Sequence, residues 1–216
     1  MKLTIYNNIE SKDIEINSFK IVVVGEIYSG KYSFVNRICN RCFEETREFQ
    51  YTDFKIGFFK NERNEFIKTQ LWIDYRDQRF RNQRYYLLKD MHSMVFVYDI
   101  TTKRTFDCIV NYLYPEYQDY ILKQQPEHPP QLMVIGNKSD LRGQINSKQS
   151  VDTEEAREFA NSIGALFFEV SAKDNINIDE SAIELIKNLK KNFNNNINQP
   201  NNNNDDQSFF SNCIIN

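Results

Sequence analysis

Apolar residues along the chain fall in short runs of strand length, and these alternate with segments of helical period. "FKIVVVG" (residues 19–25) is a β-branched run of the kind that fills a buried strand, and Phe34, Val35 and Ile38 recur at helical spacing from Lys31 to about Asn40. "FKIGFF" and "FIKTQLWI" flank the charged turn "KNERNE" and predict a hairpin. The alternation continues with "SMVFVYDI", a helix from about Thr105 to Lys123, "QLMVIGN", a helix from about Thr153 to Ile163, "ALFFEVSA" and a last helix to about Lys191. Strands alternating with helices predict an α/β domain built on a mostly parallel six-stranded sheet flanked by helices. Ligands of such folds sit beyond the carboxyl ends of the strands.

With 216 residues the chain is sized for one domain with tails. From about Asn192 the composition turns to "NFNNNINQPNNNNDDQSFFSNCIIN", polar sequence that buries too little apolar area to offset the entropy of ordering. Residues 192–216 are therefore expected to form a flexible tail, residues 1–18 an N-terminal extension, and residues 19–191 the domain. The net charge of −3 comes with scattered basic residues, so no nucleic-acid footprint is expected. The first 19 residues carry charges throughout, unlike a secretory signal, and no apolar run reaches the roughly 20 residues that cross a bilayer. Cys39 and Cys42 form a C-x-x-C, but no second Cys or His pair follows at ligand spacing, and the pair falls near the end of a helix rather than at its start. A reduced, intracellular protein is expected.

Three short motifs each follow a strand directly. "GEIYSGKYS" (25–33) is nearly a phosphate-binding loop, in which Gly, four residues, Gly, Lys and then Ser or Thr cradle a polyphosphate, the hydroxyl holding Mg²⁺. Gly25, Gly30 and Lys31 fit, whereas Tyr32 stands at the hydroxyl position. In "GNKSD" (136–140) the Asp140 carboxylate can accept from N1–H and the 2-amino group of guanine, a donor pair adenine lacks. Asn137 can contact N7 and tie the neighbouring loop, and the Lys138 stem can cover the base face. In "VSAK" (170–173) the Ala172 backbone N–H can donate to guanine O6.

With "DFKI", "RFRNQRYY", "VYDITTKRTF", "GNKSDL" and "EVSAK" in this order and spacing, the chain resembles the small GTPases of the Ras superfamily, in particular their Rab branch, over about Phe19 to Lys191. The resemblance implies a P-loop G domain that binds GTP and GDP with Mg²⁺. By position it makes Gly25, Glu26, Ile27, Tyr28, Ser29, Gly30, Lys31, Tyr32 and Ser33 the phosphate loop, Asn137, Lys138 and Asp140 the guanine contacts, and Ser171, Ala172 and Lys173 the supporting loop. Phe43, twelve residues past Lys31, matches the aromatic that packs against the base. It also implies effector, exchange and membrane-extraction proteins as partners of a monomer.

Three departures from the family pattern converge on the γ-phosphate and Mg²⁺. A phenol at position 32 reaches several ångströms beyond a Ser hydroxyl, too far for an ion that demands near-octahedral geometry at about 2.1 Å. Ser33 points about 100° away around the helix. Counting back from "DFKI", the switch Thr falls at Phe49, with Thr46 and Thr52 nearby but out of register, so Ser33 or Thr52 is the candidate metal ligand. In "WIDYRDQRF" an ungapped register puts Ile73, Arg76 and Asp77 at the metal-side Asp, the switch Gly and the catalytic Gln; a one-residue gap gives Asp74, Asp77 and Gln78 instead. Both registers lose the Gly, whose missing Cβ lets the segment refold when the phosphate leaves. Base reading is thus expected intact and hydrolysis, with Gln78 or Asp77 as its residue, impaired.

The terminal "CIIN" matches a prenylation signal on Cys213, with Ile214 to Asn216 removed. One lipid binds marginally; there is no polybasic stretch, Asp205 and Asp206 oppose anionic lipid, and Phe209 and Phe210 add interfacial burial. A reversible anchor at the cytoplasmic face of a membrane, with a cytosolic pool, is expected. The sequence thus reads as a Rab-like switch in vesicle traffic or signalling with weak hydrolysis. The alternatives are a pseudo-GTPase binding module that does not cycle and, disfavoured by "GNKSD" and "SAK", an ATP-dependent P-loop kinase.

Overall fold

The computed structural model describes residues 3–6, 17–44, 53–61, 66–74, 84–143 and 149–197. In chain order the elements are β1 (Leu3–Tyr6), β2 (Asn17–Val24), α1 (Lys31–Asn40), β3 (Asp53–Asn61), β4 (Phe66–Ile73), α2 (Arg84–Leu88), β5 (Ser93–Asp99), α3 (Lys103–Cys108), a π-helical turn (Ile109–Leu113), α4 (Tyr114–Gln124), β6 (Gln131–Asn137), α5 (Thr153–Ser162), β7 (Leu166–Glu169) and α6 (Ile178–Ile197). The strands form one sheet in the order β1-β3-β4-β2-β5-β6-β7. β2 pairs parallel with β4 and β5, β5 with β6 and β6 with β7, while β3 and β4 make the expected antiparallel hairpin.

Side chains alternate across this sheet with the strand period of two. Ile21, Val23, Val95, Val97, Met133 and Ile135 face one way, onto α1 and α6 through Phe34, Val35, Ile38, Leu185 and Ile186. Val22, Val24, Met94, Phe96, Tyr98, Leu132 and Val134 face the other, onto Phe106, Ile109, Leu113, Ala156 and Ala160 of the helices opposite. Burial on both faces is why β2, β5 and β6 read as continuous apolar runs.

The six expected strands are all present, and a seventh is added. β1, from the N-terminal extension, pairs antiparallel with β3 from Leu3 opposite Asn61 to Tyr6 opposite Phe58, covering part of an open sheet edge. The helix expected from Thr105 to Lys123 runs from Lys103 to Gln124 and carries a π-helical turn in its middle. Pro115, just after that turn, has no N–H to give to the carbonyl four residues back, and its ring crowds that carbonyl. The last helix passes the expected end at Lys191 and continues to Ile197. Phe193, in the added turns, lies edge-on to Phe19 at 6.2 Å between ring centroids, so the start of the Asn-rich segment has an apolar anchor.

Candidate nucleotide site

The loop between β2 and α1, the end of β6 and the loop after β7 meet at the carboxyl edge of the sheet. Gly25 and Gly30 are both required by close approach. A Cβ on Gly25 would stand 2.2 Å from the Val97 carbonyl oxygen, and one on Gly30, whose φ is +83°, would stand 2.1 Å from Asn137 Nδ2. Tyr28 also takes a left-handed φ of 64° without being glycine, and it and Ile27 project outward, 59% and 54% exposed. Glu26 accepts through its carbonyl from the Ser29 N–H at 3.2 Å and from Lys31 Nζ at 3.2 Å, closing the loop upon itself. Ser29 is fully buried.

Asn137, itself buried, joins three pieces of chain. Its Nδ2 donates to the carbonyls of Ser29 at 3.3 Å and Gly30 at 3.2 Å, and its Oδ1 accepts from the N–H of Lys138 at 2.8 Å and of Ala172 at 3.2 Å. The Ala172 amide expected to face guanine O6 is therefore engaged within the protein, in the longer of the two bonds at that oxygen. Asp140 accepts from the Ser171 hydroxyl at 2.6 Å, and the Asp174 N–H donates to the same hydroxyl at 2.9 Å, which orients the carboxylate. Lys138, at φ 68°, lays its stem over Gly30 and ends in an ion pair with Asp99, Nζ to Oδ2 2.6 Å.

Arg37 is a site residue that sequence reasoning passed over. Its guanidinium donates to the carbonyls of Ala172 at 2.8 Å, Lys173 at 2.7 Å and Arg41 at 3.1 Å, fastening α1 to the loop that holds Ser171 and Lys173. Asp99 was missed as well. A strand-end Asp and a helical Arg carry no local signal in the sequence, because their partners lie 39 and 135 residues away.

The metal side is built differently. Tyr32 is buried in the core that α1 shares with the sheet, and its hydroxyl donates to the Glu44 carboxylate at 3.3 Å. Burial pushes the phenol above its ordinary range, with the Lys55 ammonium pulling it down and the Glu44 carboxylate pushing it up, so it remains a donor. The Ser33 hydroxyl donates to the Glu44 carbonyl at 3.4 Å. Phe43 packs half-buried against the same core. Asp74, buried at the end of β4, donates its N–H to the Val23 carbonyl at 3.0 Å. The hydroxyls at positions 32 and 33 thus do not fit an inner-shell Mg²⁺: one is set too far out on a phenol, and each is directed at Glu44. Thr46, Phe49, Thr52, Arg76, Asp77, Gln78 and Cys213 lie outside the described residues.

Cys39 is buried, with its thiol pushed up to about 12 by burial against the pull of Lys55, and neither it nor Cys42 is in a disulfide. Among the described residues no group of three or more His, Cys, Asp and Glu side chains could hold a metal ion, and no helix is long and apolar enough to cross a membrane.

A profile of the Ras family matches residues 20–191. The Ras-related protein RabF1 of Dictyostelium discoideum is 36% identical over 179 residues, covering 82% of this chain and 86% of that protein. The human Ras-related protein Rab-3A is 30% identical over 188 residues, covering 84% and 78%, and the GTP-binding protein ypt1 of Schizosaccharomyces pombe is 28% identical over 179 residues, covering 82% and 83%. With the family profile spanning most of the chain and a Rab relative 36% identical over 82% of it, the protein belongs to the Ras family, in its Rab branch.

Proposed function

We propose that the protein is a guanine-nucleotide-binding switch that works at the cytoplasmic face of a membrane in vesicle traffic or signalling, held there by a prenyl group on Cys213, and that it hydrolyses GTP slowly. The observation that carries the nucleotide half is the Asn137 junction, which ties the phosphate loop to the loops bearing Asp140 and Ala172. Asp140, oriented by Ser171, supplies the acceptor for N1–H and the 2-amino group of guanine; Lys31 and the loop amides face the phosphates. Ala172 exchanges its long bond to Asn137 for guanine O6. Phe43 walls the base. That the fission-yeast relative ypt1 is a GTP-binding protein supports this assignment.

Slow hydrolysis follows from the residues at the switch. Phosphoryl transfer needs a positioned metal and a residue orienting water. Tyr32 and Ser33 do not fit the first, and neither register of "YRDQ" keeps the glycine that brings a backbone N–H to the γ-phosphate. The direct test is to denature the purified full-length protein and chromatograph what it releases. GDP or GTP in amounts near one per chain is expected, and none from Asp140→Ala. An adenine nucleotide from the parent protein, or nothing at all, would overturn the proposal. For the anchor, Cys213→Ser is expected to fractionate as soluble when expressed in cells; retention on membranes equal to the parent's would refute it.

A further inference from the structure

We propose that Glu44 replaces the divalent ion as the link between the helix after the phosphate loop and the segment that follows it, so that this site takes its guanine nucleotide without metal; the inference rests on the guanine-nucleotide reading above. Three side chains of α1 converge on residues 42–44. Tyr32 Oη donates to the Glu44 carboxylate at 3.3 Å and Ser33 Oγ to the Glu44 carbonyl at 3.4 Å. One turn further along, Asn36 Nδ2 donates to the Cys42 carbonyl at 3.3 Å and to its sulfur at 3.2 Å. Asn36 is held in that orientation because its own Oδ1 accepts from Asn40 Nδ2 at 2.6 Å. Positions 32 and 36 are four apart and so share a helix face.

The effect is to clamp Phe43 between two fastened neighbours. In the family pattern the hydroxyl after the loop lysine and a switch Thr share a metal, and the segment closes when metal and γ-phosphate are both present. Here the hydroxyls at 32 and 33 bind the chain itself. Lys55 sets its ammonium 5.1 Å from the Tyr32 ring centroid, which puts a fixed cation beside the phenol that bonds the Glu44 carboxylate. Closure of residues 42–44 then requires no ion and is the same in the GDP and GTP states. Glu44 and Tyr32 are positioning residues for the base wall and touch no reacting atom.

The test is release of N-methylanthraniloyl-GDP from the full-length protein, measured in Mg²⁺ and again in EDTA. The parent protein is expected to release it at rates within about twofold of each other in the two media. A hydrogen bond to a charged acceptor is worth roughly tenfold in an equilibrium, so Glu44→Ala and Tyr32→Phe should each release the nucleotide on the order of ten times faster, in both media alike. Glu44→Gln, which keeps an acceptor, should recover much of the loss. Tyr32→Ser should raise the EDTA-to-Mg²⁺ ratio above that of the parent. Glu44 is exposed, so its replacement should lower the nucleotide-free melting temperature by no more than the bond itself accounts for, under about 6 °C, which separates loss of the link from loss of the fold. A parent protein that releases GDP tenfold faster in EDTA, or a Glu44→Ala variant indistinguishable from it, would overturn the proposal. Failure to capture the nucleotide in either medium would instead refute the guanine-nucleotide reading beneath it.

Discussion

The carboxamide of Asn137 satisfies two carbonyls and two N–H groups in three different loops; its loss strands the buried Ser29 carbonyl and Ala172 N–H and the half-buried Lys138 N–H, while the Gly30 carbonyl keeps its bond from the Phe34 N–H at 2.9 Å. Asn137→Ala is expected to cost on the order of 3 kcal/mol of stability, since each orphaned buried group costs about 1–3 kcal/mol and water recovers part of it. Urea unfolding without nucleotide reads this; a loss under 1 kcal/mol would contradict the assigned role. His92 offers a separate test. Burial is the main cause holding its imidazole below the ordinary range, Asp90 raises it and Lys20 lowers it, and its Nδ1 accepts from the Lys20 N–H at 3.0 Å. The unfolded chain therefore binds the proton more readily, so stability from this group is present above pH 6.5 and is lost as pH falls below it, by at most about 1.4 kcal/mol per unit. Urea midpoints at pH 7.5 and 5.5 should show that fall, and His92→Asn should flatten it. At this scale Gly25, Gly30, Lys31, Asn137 and Asp140 were legible as candidates because each belongs to a short motif, and the fold brings the loops that carry them together. Glu44, Arg37 and Asp99 were invisible because what defines them is a partner the fold brings near.

Among the elements, α5 begins with a cap that local sequence specifies fully. Asp152 accepts from the N–H groups of Glu154 at 2.9 Å and Glu155 at 3.2 Å, two amides that the helix itself leaves unpaired. Asp152→Ala should lower stability by about 1 kcal/mol and leave GDP release unchanged, because α5 packs on the face of β6 and β7 through Ala156 and Ala160 and bears none of the candidate site residues. A change in release above threefold would place α5 within the site's machinery. β1 makes a contrasting case. "LTIY" is too short and too remote from β3 for periodicity to pair them, and only the folded edge provides the partner. Deleting residues 1–16 should speed amide exchange over residues 58–61 and leave β5 and β6 protected; unchanged exchange there would argue that β1 adds nothing in solution. The π-helical turn was legible in principle, since Pro115 cannot continue an undistorted ladder, yet the apolar spacing across it stayed helical and hid it.

In the molecule as a whole, the layered α/β domain was legible because continuous apolar runs and helical periods are set by burial on both sheet faces, and burial is what composition encodes. The two halves of the site differ in kind. Asn137, Asp140, Ser171 and Arg37 knit the side proposed to hold the base, while on the side proposed for the phosphates Tyr32 and Ser33 bond Glu44. Turnover of GTP should accordingly fall below the roughly 3–5 × 10⁻⁴ s⁻¹ of an unassisted Ras-type site, and a loss of even 3 kcal/mol of transition-state stabilisation would slow it more than about a hundredfold. Single-turnover assays with radiolabelled GTP measure this, and hydrolysis at the ordinary rate that EDTA abolishes would contradict it. The central claim, a site that recognises guanine without relying on metal, is tested most directly by the melting temperature of the full-length protein in EDTA with GDP, GTP or ATP. At a thousandfold excess over its dissociation constant a ligand adds about 4 kcal/mol, which for a domain of this size is on the order of 10 °C. GDP and GTP should raise the melting temperature by that order, ATP should not, and Asp140→Ala should abolish the rise; equal stabilisation by ATP, or a rise with GDP that appears only when Mg²⁺ is restored, would contradict the claim.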